Sequence, residues 1–248
     1  MLPNDFSLPH IVAMALLLIS WFAYSTIFKL IGKQTINNQL KAVRREWIKQ
    51  ITMHGRSPFD AIMVGHIVHS VAFFGSATLI VLAGLFSIVI NLDSIHGTMA
   101  GLHFIESLSI ELFSANFALL AVVLTISFFS FIYALRKLVY AIAMIGALPV
   151  VKGSNKVDYA EDNLQQLIDD TTTVMTESLK TFNFGIRGYY YAIAAMFLFV
   201  SPYACIVITL SATAILIYRQ MNTTTAQSIN QYIKQRESDS DSDGDGDR

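Results

Sequence analysis

From Ile62 to Ile90 the chain runs for 29 residues without a Lys, Arg, Asp or Glu. A small soluble domain has no core large enough to hide such a segment, whereas about 20 apolar residues cross the hydrocarbon of a bilayer as one helix. Three more segments lack charge in the same way, at about 11–28, 113–135 and 189–218. Hydrophobic residues make up 54% of the 248 and charged residues 14%, against roughly 25% charged in an average soluble protein. Only helices and closed barrels satisfy every backbone polar group in lipid, and segments of this length fit helices. The sequence therefore predicts an all-α, polytopic membrane protein with four transmembrane helices and amphipathic cytoplasmic helices.

The 29 residues of the second span exceed what a perpendicular crossing needs, so it must tilt or begin among the headgroups. The first span lacks a basic leader, is too long for a signal peptide, and carries Trp21 and Tyr24 near one end as interfacial anchors. It is expected to stay in the mature chain. Lys and Arg set the orientation. Seven fall in segment 29–61 and six in segment 136–188, while the residues before the first span and the loop 91–112 have none. Both basic segments are expected in the cytoplasm, with the N-terminus and C-terminus outside. The net charge of −1 is an average over compartments and gives no reason to expect nucleic acid. The lipid bilayer is the first partner.

Within the first basic segment, Leu40, Val43, Trp47 and Ile51 recur at helical spacing beside cations that suit anionic headgroups. Gly55 and Pro58 end that helix. In the second, the pattern of the third span continues past Arg136 and Lys137 until Pro149. An amphipathic helix then follows over 158–182, with Leu164, Ile168, Thr171, Met175, Leu179 and Phe182 on its apolar side. The tail, 221–248, is polar and acidic. Its Asp239, Asp241, Asp243 and Gly244 match half of an EF-hand loop but lack the closing glutamate, and a disordered tail is expected.

Two clusters of uncommon residues stand out. One is Phe128, Phe131, Arg136, Tyr140, Gly146, Ala147 and Pro149; the other is Asn183, Gly185, Arg187, Tyr189, Tyr190, Tyr191, Ala192, Ala194, Pro202, Tyr218 and Arg219. Trp21, Tyr24, Arg45, Trp47, Arg56 and Asp60 extend the pattern upstream. Together they resemble the bacterial domain-of-unknown-function family 599, a group of four-span membrane proteins. The resemblance covers roughly residues 8–220 and implies a fold and a bacterial inner-membrane setting. It implies no activity.

Arg136 and Arg187 mark the boundaries of the second basic segment, each with tyrosines at helical spacing. With Asn183, Tyr140 and Tyr189 they form a candidate ligand site, since a planar guanidinium fork suits a carboxylate or other small anion. The bland alternative is positive-inside anchoring with tyrosines at headgroup level. His66 and His69 share a face of the second span, but the spans hold no acid to complete a metal site, and they read as hydrogen-bonded interior histidines. His103 and Glu106, with His96, Asp93 and Glu111 nearby, read as an ordinary polar outer loop. The single cysteine, Cys205, excludes an intrachain disulfide and a thiolate cluster. No nucleophile constellation or phosphate-cradling glycine loop is present, so neither an enzyme nor a cofactor is indicated.

In the second span Gly65, Ala72, Ser76, Ala83 and Ser87 form a stripe of small residues, expected to be the tight seam within the bundle. Pro202 removes the backbone hydrogen bond to Leu198 and is expected to kink the fourth span. Four helices seldom enclose a conduction path alone, so transport implies a homo-oligomer. The leading reading is an oligomeric permease or channel for a small solute or ion, in particular a small anionic solute. The second is a membrane scaffold or regulator docking a partner through its cytoplasmic helices. The third is a membrane enzyme acting on lipid headgroups.

Overall fold

The computed structural model describes residues 6–30, 36–100, 109–151, 161–221 and 223–244. Among them the secondary structure is helical throughout: α1 Leu8–Leu30, α2 Ile36–His54, α3 Pro58–Ile90, α4 Leu92–Ala100, α5 Ile110–Ala147, α6 Glu161–Met196, α7 Pro202–Met221 and α8 Thr224–Gly244, with one 3-10 turn at Phe197–Phe199. Four of these, α1, α3, α5 and α7, are long and apolar enough to cross a membrane. The protein is a multi-pass membrane protein.

The chain forms two compact units. The first contains residues 1–31, 71–132 and 181–216; the second contains 32–70, 133–180 and 217–248. Helices α3, α5, α6 and α7 each contribute one stretch to either unit.

In the first unit, α1 presents Ala13, Leu17, Trp21, Tyr24 and Phe28 on one fully buried stripe, spaced by three and four as a helix face requires. Where a single kinked span over 189–218 was expected, the chain reverses. Tyr191 and Thr213, 22 residues apart, bring their hydroxyl oxygens within 3.0 Å. In one continuous helix they would lie about 33 Å apart. The α6 helix ends at Met196, the 3-10 turn follows, and α7 starts afresh as the second arm of a hairpin. The reason is local. Ser201 accepts a hydrogen bond from the Tyr203 amide on its Oγ (3.3 Å) and so caps α7, with Pro202 at the first helical position. Ser-Pro here opens a helix; it does not bend one. The Leu198 carbonyl that Pro202 cannot serve accepts from Nδ2 of buried Asn116 on α5 at 3.3 Å. Phe113, Phe117 and Phe199 close this end with ring centroids 4.6–5.2 Å apart.

The small-residue stripe of α3 is not the seam within the bundle. Gly65, Ser76, Ala83 and Ser87 are exposed and Ala72 is half-buried. The buried face of α3 is Val71, Gly75, Thr78, Leu82 and Leu85. On that face Gly75 packs against Phe131, with room for a Cβ at 3.6 Å from Phe131 Cβ, and Thr78 meets Tyr189 one turn further on.

The second unit is built around Ile48, Ala141, Leu148, Ile168 and Met175, with Trp47, Ile67, Leu164 and Val174 against them. The amphipathic stripes expected in the two basic segments are therefore buried on each other. Gly55, at φ 86°, ends α2 in the left-handed conformation that glycine accepts without strain. Ser57 and Asp60 cap α3 reciprocally: the Ser57 amide donates to Asp60 Oδ2 (2.8 Å) and the Asp60 amide to Ser57 Oγ (3.3 Å).

The tail also departs from expectation. Residues 224–244 form α8, which packs on α2. Among its described side chains Ile229 and Ile233, one turn apart, are half-buried and give it an apolar edge. Helices that pack side by side are expected on one side of the membrane, which stands against the expectation that the C-terminal segment lies across the bilayer from the first basic segment. Single cysteines in place of Gln50 and Ser228 test this, because native Cys205 is fully buried. An impermeant maleimide applied to sealed vesicles should label both from the same face; labelling from opposite faces would separate α8 from α2.

Candidate functional site

The arm of α6 in the first unit approaches its neighbours at two glycines. A Cβ on Gly185 would meet the Phe131 ring at 2.6 Å, and one on Gly188 would overlap Ser127 Oγ and touch Trp21. With no side chain there, Trp21 stacks on Phe184 at 5.1 Å between centroids and 10° between planes. This contact fixes the rotation of α6 and so the direction in which Arg187 leaves it.

Arg187 points into an aromatic cage. Its guanidinium carbon lies 4.5 Å from the Tyr24 ring centroid and 5.7 Å from that of Phe184. Tyr24 and Tyr191 are fully buried, and both commit their hydroxyls to α7: Tyr24 donates to the Leu216 carbonyl at 3.1 Å, and Tyr191 meets Thr213. The Tyr24 ring faces the cation, and neither phenolic oxygen pairs with it. Nε of Arg187 is buried without a hydrogen-bond partner. No carboxylate of the described residues pairs with Arg187.

The five residues expected to form one ligand site divide between the units. Asn183 is exposed one turn before Arg187 on the same stripe of α6. Tyr189 faces the other way and serves packing, its hydroxyl 2.5 Å from Thr78 Oγ1 and donating to the Phe74 carbonyl at 3.1 Å. Arg136 and Tyr140 belong to the second unit, where Arg136 Nε donates to the Tyr140 hydroxyl at 2.6 Å on an exposed surface. His66 and His69 are exposed on α3 rather than interior. Among the described residues no three His, Cys, Asp or Glu side chains gather as metal ligands. His103 and Glu106 lie outside the described residues.

Other residues that carried the resemblance turn out to hold the second unit together. Arg56 donates through one terminal nitrogen to the carbonyls of Ile145, Gly146 and Leu148 at 2.6–3.0 Å, closing the open end of α5. Trp47 Nε1 donates to Asp60 at 2.7 Å. Arg45 pairs with Asp169 and donates to Gln165 on α6. Arg44 donates to Asn37 and Thr176, and burial brings its pKa down to about 10, which leaves it charged at neutral pH.

A family model matches residues 11–225. The chain belongs to the family described as "Protein of unknown function, DUF599". No curated protein and no solved structure matches it. In this DUF599 chain the neighbours of Arg187 are Tyr191, one of the tyrosines expected beside it, and Tyr24, which the sequence does not tie to it. The i, i+4 spacing of Arg187 and Tyr191 was a usable signal. Nothing local ties Tyr24 to them, because that contact exists only once α1 lies against the hairpin.

A lysine cannot spread its charge over two ring faces as a guanidinium does. Loss of the stacked contact is expected to cost about 0.5–2 kcal/mol. Arg187→Lys should therefore lower the thermal midpoint of the detergent-solubilised protein measurably, while Arg219→Lys, at an exposed side chain, does much less. Equal, negligible shifts would reduce Arg187 to a topology signal.

Proposed function

We propose that the protein is a homo-oligomeric permease of the bacterial inner membrane that takes a small anion at Arg187. One observation carries this reading: a part-buried guanidinium with an orphaned Nε and no carboxylate beside it among the described residues. Taking a charge out of water costs several kcal/mol, and a ring face returns about 0.5–2 kcal/mol. A bound anion would supply the missing balance and would accept from Nε. Exposed Asn183, one turn away, adds a donor amide at the approach. The outward small-residue stripe of α3 supports a self-associated state, since small side chains let helices of two copies approach closely.

In this reading the N-terminus lies outside and the basic segments lie in the cytoplasm, together with the C-terminal helix. That arrangement requires both arms of the α6–α7 hairpin to cross, which makes five passes. The scaffold reading loses its stated support, because the apolar stripes it relied on are buried on each other. Headgroup chemistry loses its second arginine, because Arg136 is engaged by Tyr140 on an exposed surface.

Flux from liposomes loaded with a panel of small inorganic and organic anions tests the proposal. At least one anion should leave faster than from protein-free vesicles, and Arg187→Gln should slow it about tenfold or more, the effect of losing one charge-assisted hydrogen bond. Rates equal to protein-free vesicles across the panel, or flux indifferent to Arg187→Gln, would overturn the reading.

A further inference from the structure

Three helices of the first unit meet at Gly188 of α6. A Cβ there would overlap Ser127 Oγ on α5 and lie 3.0 Å from Trp21 Cζ2 on α1. The chain leaves this unit after residues 31 and 132 and re-enters it at 181. The start of α1, the start of α5 and the end of α6 therefore share the opposite end of the unit. Eleven residues make almost three full turns, so a count of eleven toward that end keeps the same face of each helix and rises about 16 Å. It reaches His10 on α1, Asn116 on α5 and Phe199 in the 3-10 turn after α6. Packing agrees with this register. Asn116 Nδ2 donates to the Leu198 carbonyl at 3.3 Å, and the Phe117 and Phe199 rings lie 4.6 Å apart. Between these levels Ala13 and Leu17 keep the α1 stripe buried, as Leu120 and Val123 do on α5.

Two buried polar atoms at this level have no hydrogen-bond partner among the described residues, Nε2 of His10 and Oδ1 of Asn116. Both side chains are more than nine-tenths buried, at 5% and 0% exposure. The Leu198 carbonyl can only accept, so it holds Nδ2 of Asn116 and turns the acceptor Oδ1 elsewhere. Ser7 Oγ, 2.8 Å from Nδ1, holds the other side of the His10 ring. We infer that one buried water molecule binds between His10 Nε2 and Asn116 Oδ1, joining the start of α1 to α5 and the hairpin turn. A water spans polar atoms about 5 Å apart with two bonds of about 2.8 Å each. Buried waters make roughly two to four bonds, to polar groups that otherwise have none. Water also suits both forms of the neutral ring. With Nδ1 accepting from Ser7, Nε2–H donates to the water, which donates on to Oδ1; with Nδ1 donating to Ser7, the water donates to both. An anion would be repelled by Oδ1, and among the described residues no three His, Cys, Asp or Glu gather to hold a metal ion. The site lies three turns from the level of the Arg187 cage and stands whether or not an anion binds there.

The test uses the full chain in detergent, carrying carbon-13 and nitrogen-15 histidine. The His10 ring is assigned among the six histidines by His10→Gln. Its Hδ2 proton flanks Nε2 and not Nδ1, so the Ser7 hydroxyl does not lie beside it. Hδ2 should show a cross-relaxation peak at the water frequency with the sign of a long-lived water. Asn116→Leu should weaken that peak about fivefold or more, the effect on occupancy of losing one hydrogen bond. A second arm does not depend on the folding of Asn116→Leu. Glutamine places an amide where Nε2 stands, so His10→Gln should keep the thermal midpoint of the wild type. His10→Phe keeps a ring, loses both nitrogens and should lower the midpoint measurably. No such peak in the wild type, a peak unchanged in Asn116→Leu, or a midpoint for His10→Phe at or above that of His10→Gln would each overturn the assignment.

Discussion

The first unit depends on how closely α6 approaches α1 and α5, and Gly188 permits that approach. A Cβ at this position would overlap Ser127 and press on Trp21. Without one, Trp21 and Phe184 lie nearly parallel, α6 is fixed in rotation, and Arg187 is carried against Tyr24. The same rotation turns Tyr189 toward Thr78 and Tyr191 toward Thr213. Tyr189 and Tyr191, two residues apart, thus acquire different duties from their angular positions alone. A larger side chain at 188 forces either displacement of α6 or strain of about 1–3 kcal/mol in an interior that packs with little free space.

A second constraint lies at the far end of the hairpin. The chain must reverse without leaving polar backbone unpaired, since an unsatisfied buried group costs about 1–3 kcal/mol. Ser201 caps the new helix, proline takes the position where an amide is not needed, and Asn116 covers the Leu198 carbonyl. Asn116 keeps its own Oδ1 without a partner. The two arms of the hairpin, with α1 against them, place Arg187, Tyr191, Thr213 and Tyr24 within reach of one another, which a single straight span could not do.

Much of this is legible in the sequence, and what is not has a common cause. The charge-free lengths point to α1, α3 and α5, and the apolar periodicity to α2 and the start of α6. The residue types at 45, 47, 56 and 60 signal a family, but their duty as caps and inter-helix ties requires knowing that α5 ends beside α2. Pro202 reads as a kink because an uninterrupted apolar run outweighs the Ser-Pro start signal; hydropathy does not distinguish one long span from a hairpin. The small-residue stripe is expected to face inward because small residues favour close approach, yet it faces out and Gly75 makes the inner contact. Acidic composition hides α8, whose half-buried Ile229 and Ile233 matter only against α2. Arg187 stands out in the sequence as unusual, but its expected companions Arg136 and Tyr140 belong to another unit.

The central claim is that Arg187 holds a desolvated cation whose Nε awaits an anionic acceptor. Nitrogen-15 NMR of the full chain in detergent, with labelled arginine and the Nε–H resonance assigned by Arg187→Lys, addresses that atom directly. Titration with inorganic phosphate and with small carboxylates should shift this resonance downfield in a saturable manner and slow its exchange with water. The other arginine Nε resonances should move little. A resonance that stays fixed across the titration, or that moves only in step with the exposed arginines, would contradict the account.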